Sequence, residues 1–197
     1  KAKEEVTVGD YREYLVRVLF TTMLGQRMQE LTQKAEPPFV FGGSNIGGWA
    51  RGYEAYQSYA YLGKGGPAPA INALVQENER ARKFGFTAPE LDRIKKMLLK
   101  NIELSYNERD KTESADFVEE YVRNFLEKEP IPGIENEFKY YSSFLEGITL
   151  EEVNQYAAKT IPATTDHKLV ILTGPAQADF AMPTNAELLA LTENAAK

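Results

Sequence analysis

The chain has 197 residues, of which 23 are basic and 29 acidic, for a formal net charge of -6, with a single histidine and no cysteine. That length suits one ordinary domain or two small ones, which bury roughly 70% of their unfolded surface. Disulfide scaffolds, thiolate zinc knuckles and cysteine nucleophiles are excluded outright, His167 alone excludes most histidine-based catalysis, and scattered basic residues offer nucleic acid no clustered stripe.

Lys1-Ala2-Lys3-Glu4-Glu5 opens without an initiator methionine and without the charged-then-apolar layout of a signal peptide, as an excised or processed piece would. No apolar run approaches the roughly 20 residues needed to cross a bilayer, so membrane insertion is not expected. Thr7 with Asp10 three residues on predicts a helix start. Leu15, Val18, Leu19, Met23, Leu24, Met28 and Leu31 then fall at helical spacing, with Arg12, Glu13, Arg17, Gln26, Arg27 and Glu30 between them. Pro37-Pro38 stops this helix, because proline donates no N–H and pushes its predecessor toward extended backbone. Phe39-Val40-Phe41 is expected to enter a glycine-studded turn over Gly42 to Gly48, with Trp49 to Leu62 running out as a tyrosine-rich second strand.

Gly63 to Pro67 breaks that strand, and Ile71, Leu74, Val75, Asn78 and Ala81 mark a second helix ending at Phe84-Gly85. Thr87-Ala88-Pro89-Glu90 is a capping box opening a third, with Leu91, Ile94, Leu98 and Ile102 on its stripe, to about Asp110. A fourth, from about Ser114 to Lys128, is expected to bury Val118, Tyr121, Val122 and Phe125. A fifth carries Ile134, Phe138, Tyr141 and Leu145, and Thr149-Leu150-Glu151-Glu152 caps a sixth. Lys168 to Leu172, a short continuous apolar run, reads as a buried strand returning to the sheet. The expected architecture is α+β, a small mixed, mostly antiparallel sheet covered by helices. Residues 1–174 form the domain, its first strand possibly truncated, and residues 175–197 a connector with a short helix leading to a following domain.

The glycine stretch lies between two strands, whereas a phosphate-cradling loop runs from a strand into a helix, so it reads as a bulge or loop with exposed backbone. His167 beside Asp166 has no second histidine with which to share a metal. Glu119-Glu120 and Glu151-Glu152 sit where helix faces and first turns explain them. Tyr53, Tyr56, Tyr59 and Tyr61 alternate across a strand and read as packing residues, and Arg51 as a guanidinium stacked on Trp49 or Tyr53 rather than a substrate clamp. The residues thus name neither a catalytic nor a metal site.

Three segments nevertheless resemble the insulinase/pitrilysin-like zinc peptidases: Leu24-Gly25-Gln26-Arg27-Met28-Gln29-Glu30-Leu31, Pro37-Pro38-Phe39, and Gly85-Phe86-Thr87-Ala88-Pro89-Glu90-Leu91-Asp92-Arg93-Ile94-Lys95. The last is similar to that family's G-F-T-x-x-E-L-x-x-x-K at the start of a long helix, and the likeness runs over residues 7 to 174. The family is built from related α+β domains, one of which carries an inverted zinc motif, H-x-x-E-H. Here His167 is followed by Lys168-Leu169-Val170-Ile171, so the resemblance implies a non-catalytic domain, with zinc and its glutamate base held elsewhere in a bacterial-type parent. Where the family's later substrate-binding domain offers an arginine and a tyrosine, this chain has Thr32 and Phe39, which implies the domain immediately after the catalytic one.

By the same resemblance the domain walls the peptide chamber and helps orient peptide on an edge strand and turn, at Phe39, Phe41, Gly42, Gly43 and Ser44. An edge strand flanked by glycines can accept a peptide through main-chain bonds. The implied partners are the catalytic domain of the same parent chain and a peptide substrate, with no cofactor in this chain. The alternative is a catalytically dead scaffold or assembly subunit of the same fold. The cysteine-free composition leans toward an exported, periplasmic parent over a cytoplasmic one.

Overall fold

The computed structural model describes residues 6–50, 52–163, 168–174 and 182–196. Its axis is α1 (Val8–Thr32), begun by a closed capping box in which Asp10 N–H donates to Thr7 Oγ1 at 3.1 Å and Thr7 N–H donates to Asp10 Oδ2 at 2.9 Å. Leu15, Leu19, Phe20, Leu24 and Met28 on this helix are wholly buried. Around α1 pack the hairpin of β1 (Phe39–Ala50) and β2 (Tyr53–Leu62), then α2 (Pro67–Phe84), α3 (Ala88–Asn107), α5 (Ile134–Phe144) and α6 (Leu150–Thr160). Phe39, Ala81, Ile94, Val153 and Ala157 close the core from those elements, with Leu145 and Ile148 from the connection between α5 and α6. The α+β class expected from the sequence is the one observed.

Two strands pair antiparallel, from Phe39 opposite Leu62 to Ala50 opposite Tyr53, with irregularities between Phe39 and Phe41 and between Gly48 and Ala50. The glycine stretch is therefore strand, not turn: Gly42 to Gly48 pair with Ala60 to Glu54, and Trp49 and Ala50 still belong to β1. The chain reverses between Ala50 and Tyr53, and Gly52 there has φ +77°. Glycine is required in the strand by close approach. A Cβ on Gly42 would meet the Phe39 ring at 2.7 Å, and one on Gly43 the Tyr59 hydroxyl at 3.0 Å.

Two further expectations are corrected. Residues 168–174 take no regular structure, and Leu169 and Ile171 are 70% and 61% exposed, so no buried third strand forms among the described residues. A short apolar run reports hydrophobicity but cannot name its partner strand. Likewise α4 (Ser114–Glu127) forms, yet it buries none of its residues, and Val118, Tyr121, Val122 and Phe125 face solvent. Helical periodicity establishes that an apolar face exists, not that this chain covers it. The final helix, α7 (Asn185–Ala195), is capped by Thr184 and Glu187 and packs against α2. His167, Asp166 and Arg51 lie outside the described residues.

Two of the three segments that carried the family resemblance meet at one side chain. Arg27, 7% exposed, donates through Nε to Glu90 Oε1 at 2.7 Å and through Nη2 to Glu90 Oε2 at 3.1 Å and the Gly85 carbonyl at 3.0 Å. Its Nη1 lies 3.4 Å from Glu77 Oε1, and the guanidinium sits 4.5 Å over the Phe86 ring. Gly85, at φ +68°, ends α2, and a Cβ there would fall 2.4 Å from Asn154, whose Oδ1 accepts the Phe86 N–H at 2.7 Å. Burial disfavours the Glu90 charge, but the Arg27 hydrogen bonds and those from Thr87 outweigh it and hold the carboxyl at about 2. One buried ionic knot thus fixes α1 against the α2–α3 corner and sets the helix on which β1 rests.

Candidate functional site

Between α1 and the first half of β1 lies an open groove of about 330 Å³. The α1 side presents Thr22, Gly25, Gln26 and Gln29, four positions at helical spacing and so on one face. The strand side presents Phe41, Gly42, Gly43 and Ser44, with Tyr59 reaching across from β2. Glycine makes the gap on the helix wall, where a Cβ on Gly25 would have nothing within 4 Å, while on the strand wall the buried Gly42 and Gly43 admit the Phe39 ring and the Tyr59 hydroxyl against the backbone.

Of the five residues named from the sequence, Phe41, Gly42, Gly43 and Ser44 line this groove together. Phe39 does not, because its ring is fully buried under Gly42 as part of the core. Thr22, Gly25, Gln26, Gln29 and Tyr59 complete the groove lining and were not singled out for it from the sequence. The available signal was Gly25, an unforced glycine in mid-helix, where it costs about 1 kcal/mol relative to alanine.

The two faces of the hairpin differ. Outward, Phe41 packs 6.1 Å from Tyr59 and 6.2 Å from Tyr61, an aromatic cluster beside the groove. Inward, the Tyr56 hydroxyl donates to Asn78 Oδ1, and Asn78 Nδ2 donates to Ser58 Oγ at 3.0 Å and to the Leu74 carbonyl at 2.7 Å. Burial pushes the Tyr56 phenol well above its ordinary value, so it stays neutral and tethers β2 to α2. The tyrosines therefore divide into inner anchors and outer surface. Only β2 pairs with β1 among the described residues, so the other edge of β1 has no strand partner there.

Of the acidic pairs, Glu151-Glu152 holds a cap, an ion pair and a side-chain hydrogen bond. Glu152 accepts the Thr149 N–H at 2.7 Å and pairs with Arg12 at 2.7 Å, and the Arg12 hydrogen bond is the main force drawing its carboxyl down to about 2. Glu151 accepts from Gln155 at 2.7 Å.

No family model matches the sequence. The chain is 29% identical over 153 residues, 78% of its length, to a zinc protease PQQL-like protein of Arabidopsis thaliana, of which it spans 13%. Its fold matches the first half of the periplasmic protease PqqL from Escherichia coli at a TM-score of 0.75 and 16% identity, over 98% of this chain and 41% of that one. A predicted insulinase family protease from Yersinia pestis matches at 0.81 and 13% identity, over 99% of this chain and 41% of that one. The fold is thus the α+β fold of these solved insulinase-type protease structures. In sequence the chain is similar to a PqqL-like zinc protease, of which it spans 13%, and it covers 21% of the whole PqqL chain.

The plant relative is called a zinc protease, and a multi-histidine or thiolate zinc site needs ligands that this sequence lacks. The sequence offers one histidine and no cysteine, and among the described residues no group of three His, Cys, Asp or Glu side chains converges. Among the described residues no helix is long and apolar enough to cross a membrane.

Proposed function

We propose that this chain is a non-catalytic domain of a zinc metalloendopeptidase, walling its peptide chamber and holding substrate as an added strand along β1. The observation that carries this reading is the groove, where the edge of β1 that has no strand partner among the described residues and four of the residues named from the sequence coincide. Main-chain pairing at such an edge is indifferent to side-chain identity, which suits an enzyme handling varied peptides. Phe41 and Tyr59 supply an apolar surface for alternate side chains of the guest. Zinc and the glutamate base belong in this reading to another domain of the same polypeptide, the partner of this one, in an exported parent like the periplasmic relative.

Filling the groove tests it. Gly25→Leu places a side chain into open space and gains helix propensity, so folding is preserved. In the full-length protein, Gly25→Leu and Gly43→Pro are expected to slow cleavage of long peptides about tenfold or more while short peptides are cut as before. Unchanged long-peptide cleavage in both variants would remove the β1 role, and a full-length protein that cleaves nothing would favour the scaffold alternative.

A further inference from the structure

Helix α4 carries an apolar face that the described residues leave bare. Phe117, Val118, Tyr121, Val122, Phe125 and Leu126 are between 44% and 85% exposed, and every residue of the helix except Glu120 is exposed. A 14-residue helix without tertiary packing is marginal in water, and most helical stability in proteins comes from covering such a face. We propose that this face of α4 seats an amphipathic helix with basic flanks, contributed by another domain of the same, longer polypeptide.

Area and charge select that occupant. The six side chains expose roughly 600 Å², taking 150–250 Å² for a whole aromatic side chain, against about 800 Å² per partner in a stable interface. A second copy would therefore dimerise weakly through α4 alone, whereas a tethered domain meets it at an effective concentration near millimolar. The chain spans 13% of its plant relative and 41% of the PqqL half, so polypeptide of that kind belongs to the relatives. Around the face stand Asp116, Glu119, Glu120 and Glu127, with Arg123 already paired to Glu129 at 3.0 Å. Burial, with the charges of Glu120 and Glu129, pushes the nearby Glu137 carboxyl up. A partner with lysines or arginines beside its apolar stripe relieves that charge.

This inference rests on the chain's being one domain of a longer protein, not on where peptide binds. Its test is hydrogen exchange of α4 amides, in the 197-residue chain at low and high concentration and in the full-length protein. Exchange in the chain alone is expected to be fast at both concentrations, and slower by about tenfold or more in the full-length protein. Val118→Asp with Phe125→Asp, both at exposed positions, is expected to restore fast exchange in α4 there without altering α1. Equal α4 exchange in the two contexts would overturn the proposal. So would concentration-dependent protection in the chain alone, which would make a second copy the occupant. Cleavage is not the readout, so failure of the β1 groove and failure of the α4 seat are separable.

Discussion

Replacing Arg27 with methionine keeps much of the side-chain volume but removes every polar contact at the knot between α1 and the α2–α3 corner. Lost are the paired hydrogen bonds to Glu90, the bond to the Gly85 carbonyl, the Glu77 contact and the cation over Phe86. The side chains of Glu77 and Glu90 are only 10% and 19% exposed, so at neutral pH the variant strands two carboxylates in a poorly hydrated place. Breaking a buried pair from one side costs about 3–5 kcal/mol. Arg80, 3.6 Å from Glu77, offsets part of this, which places the loss at about 3 kcal/mol. With a urea slope of about 2 kcal/mol per molar, the unfolding midpoint at neutral pH falls by about 1.5 M. Acid should then narrow the gap. In the wild type the Glu90 carboxyl sits at about 2, so stability is lost as pH falls below its ordinary 4.5. In Arg27→Met only the Thr87 hydrogen bonds still draw that carboxyl down, burial opposes them, and protonation relieves part of the stranded charge. A deficit below about 1 kcal/mol, or one that stays constant from neutral pH to pH 3, would refute the placement of this ionic knot.

Gly85→Ala combines a backbone conformation that L residues avoid with a Cβ 2.4 Å from Asn154, and should cost at least about 2 kcal/mol in urea unfolding. Glu90→Gln should flatten the acid limb of the stability profile between about pH 4.5 and 2, because a depressed carboxyl contributes stability above its unfolded value that disappears below it; an unchanged limb would assign acid sensitivity elsewhere. Purified and washed, the 197-residue chain should hold no tightly bound zinc by atomic absorption, and stoichiometric, chelator-sensitive metal would contradict the reading that zinc resides in another domain.

Local chemistry was written in the sequence because its causes are local. Thr7 with Asp10, Thr87 with Glu90, and Thr149 with Glu152 each close a helix start within three residues, and Gly85 ends α2 by its own backbone freedom. The groove's strand wall was legible as an edge strand with glycines, although the turn was placed too early. A glycine run fits a reversal and a crowded strand equally well, and only Phe39 beneath Gly42 and Tyr59 against Gly43 distinguish them. Its helix wall was not legible, since Thr22, Gln26 and Gln29 read as ordinary solvent-facing positions until β1 lies beside them.

The sequence by itself determined where helices begin and end, that the chain is α+β, and that its residues cannot assemble a histidine or thiolate zinc site. Tertiary structure decided what each apolar stripe meets. The stripe of α1 closes a core, while the equally periodic stripe of α4 and the run at 168–172 meet solvent. Periodicity and capping are settled within a few residues of chain, whereas burial depends on surfaces brought together from far along it. For α4 the proposed covering surface lies in another domain altogether.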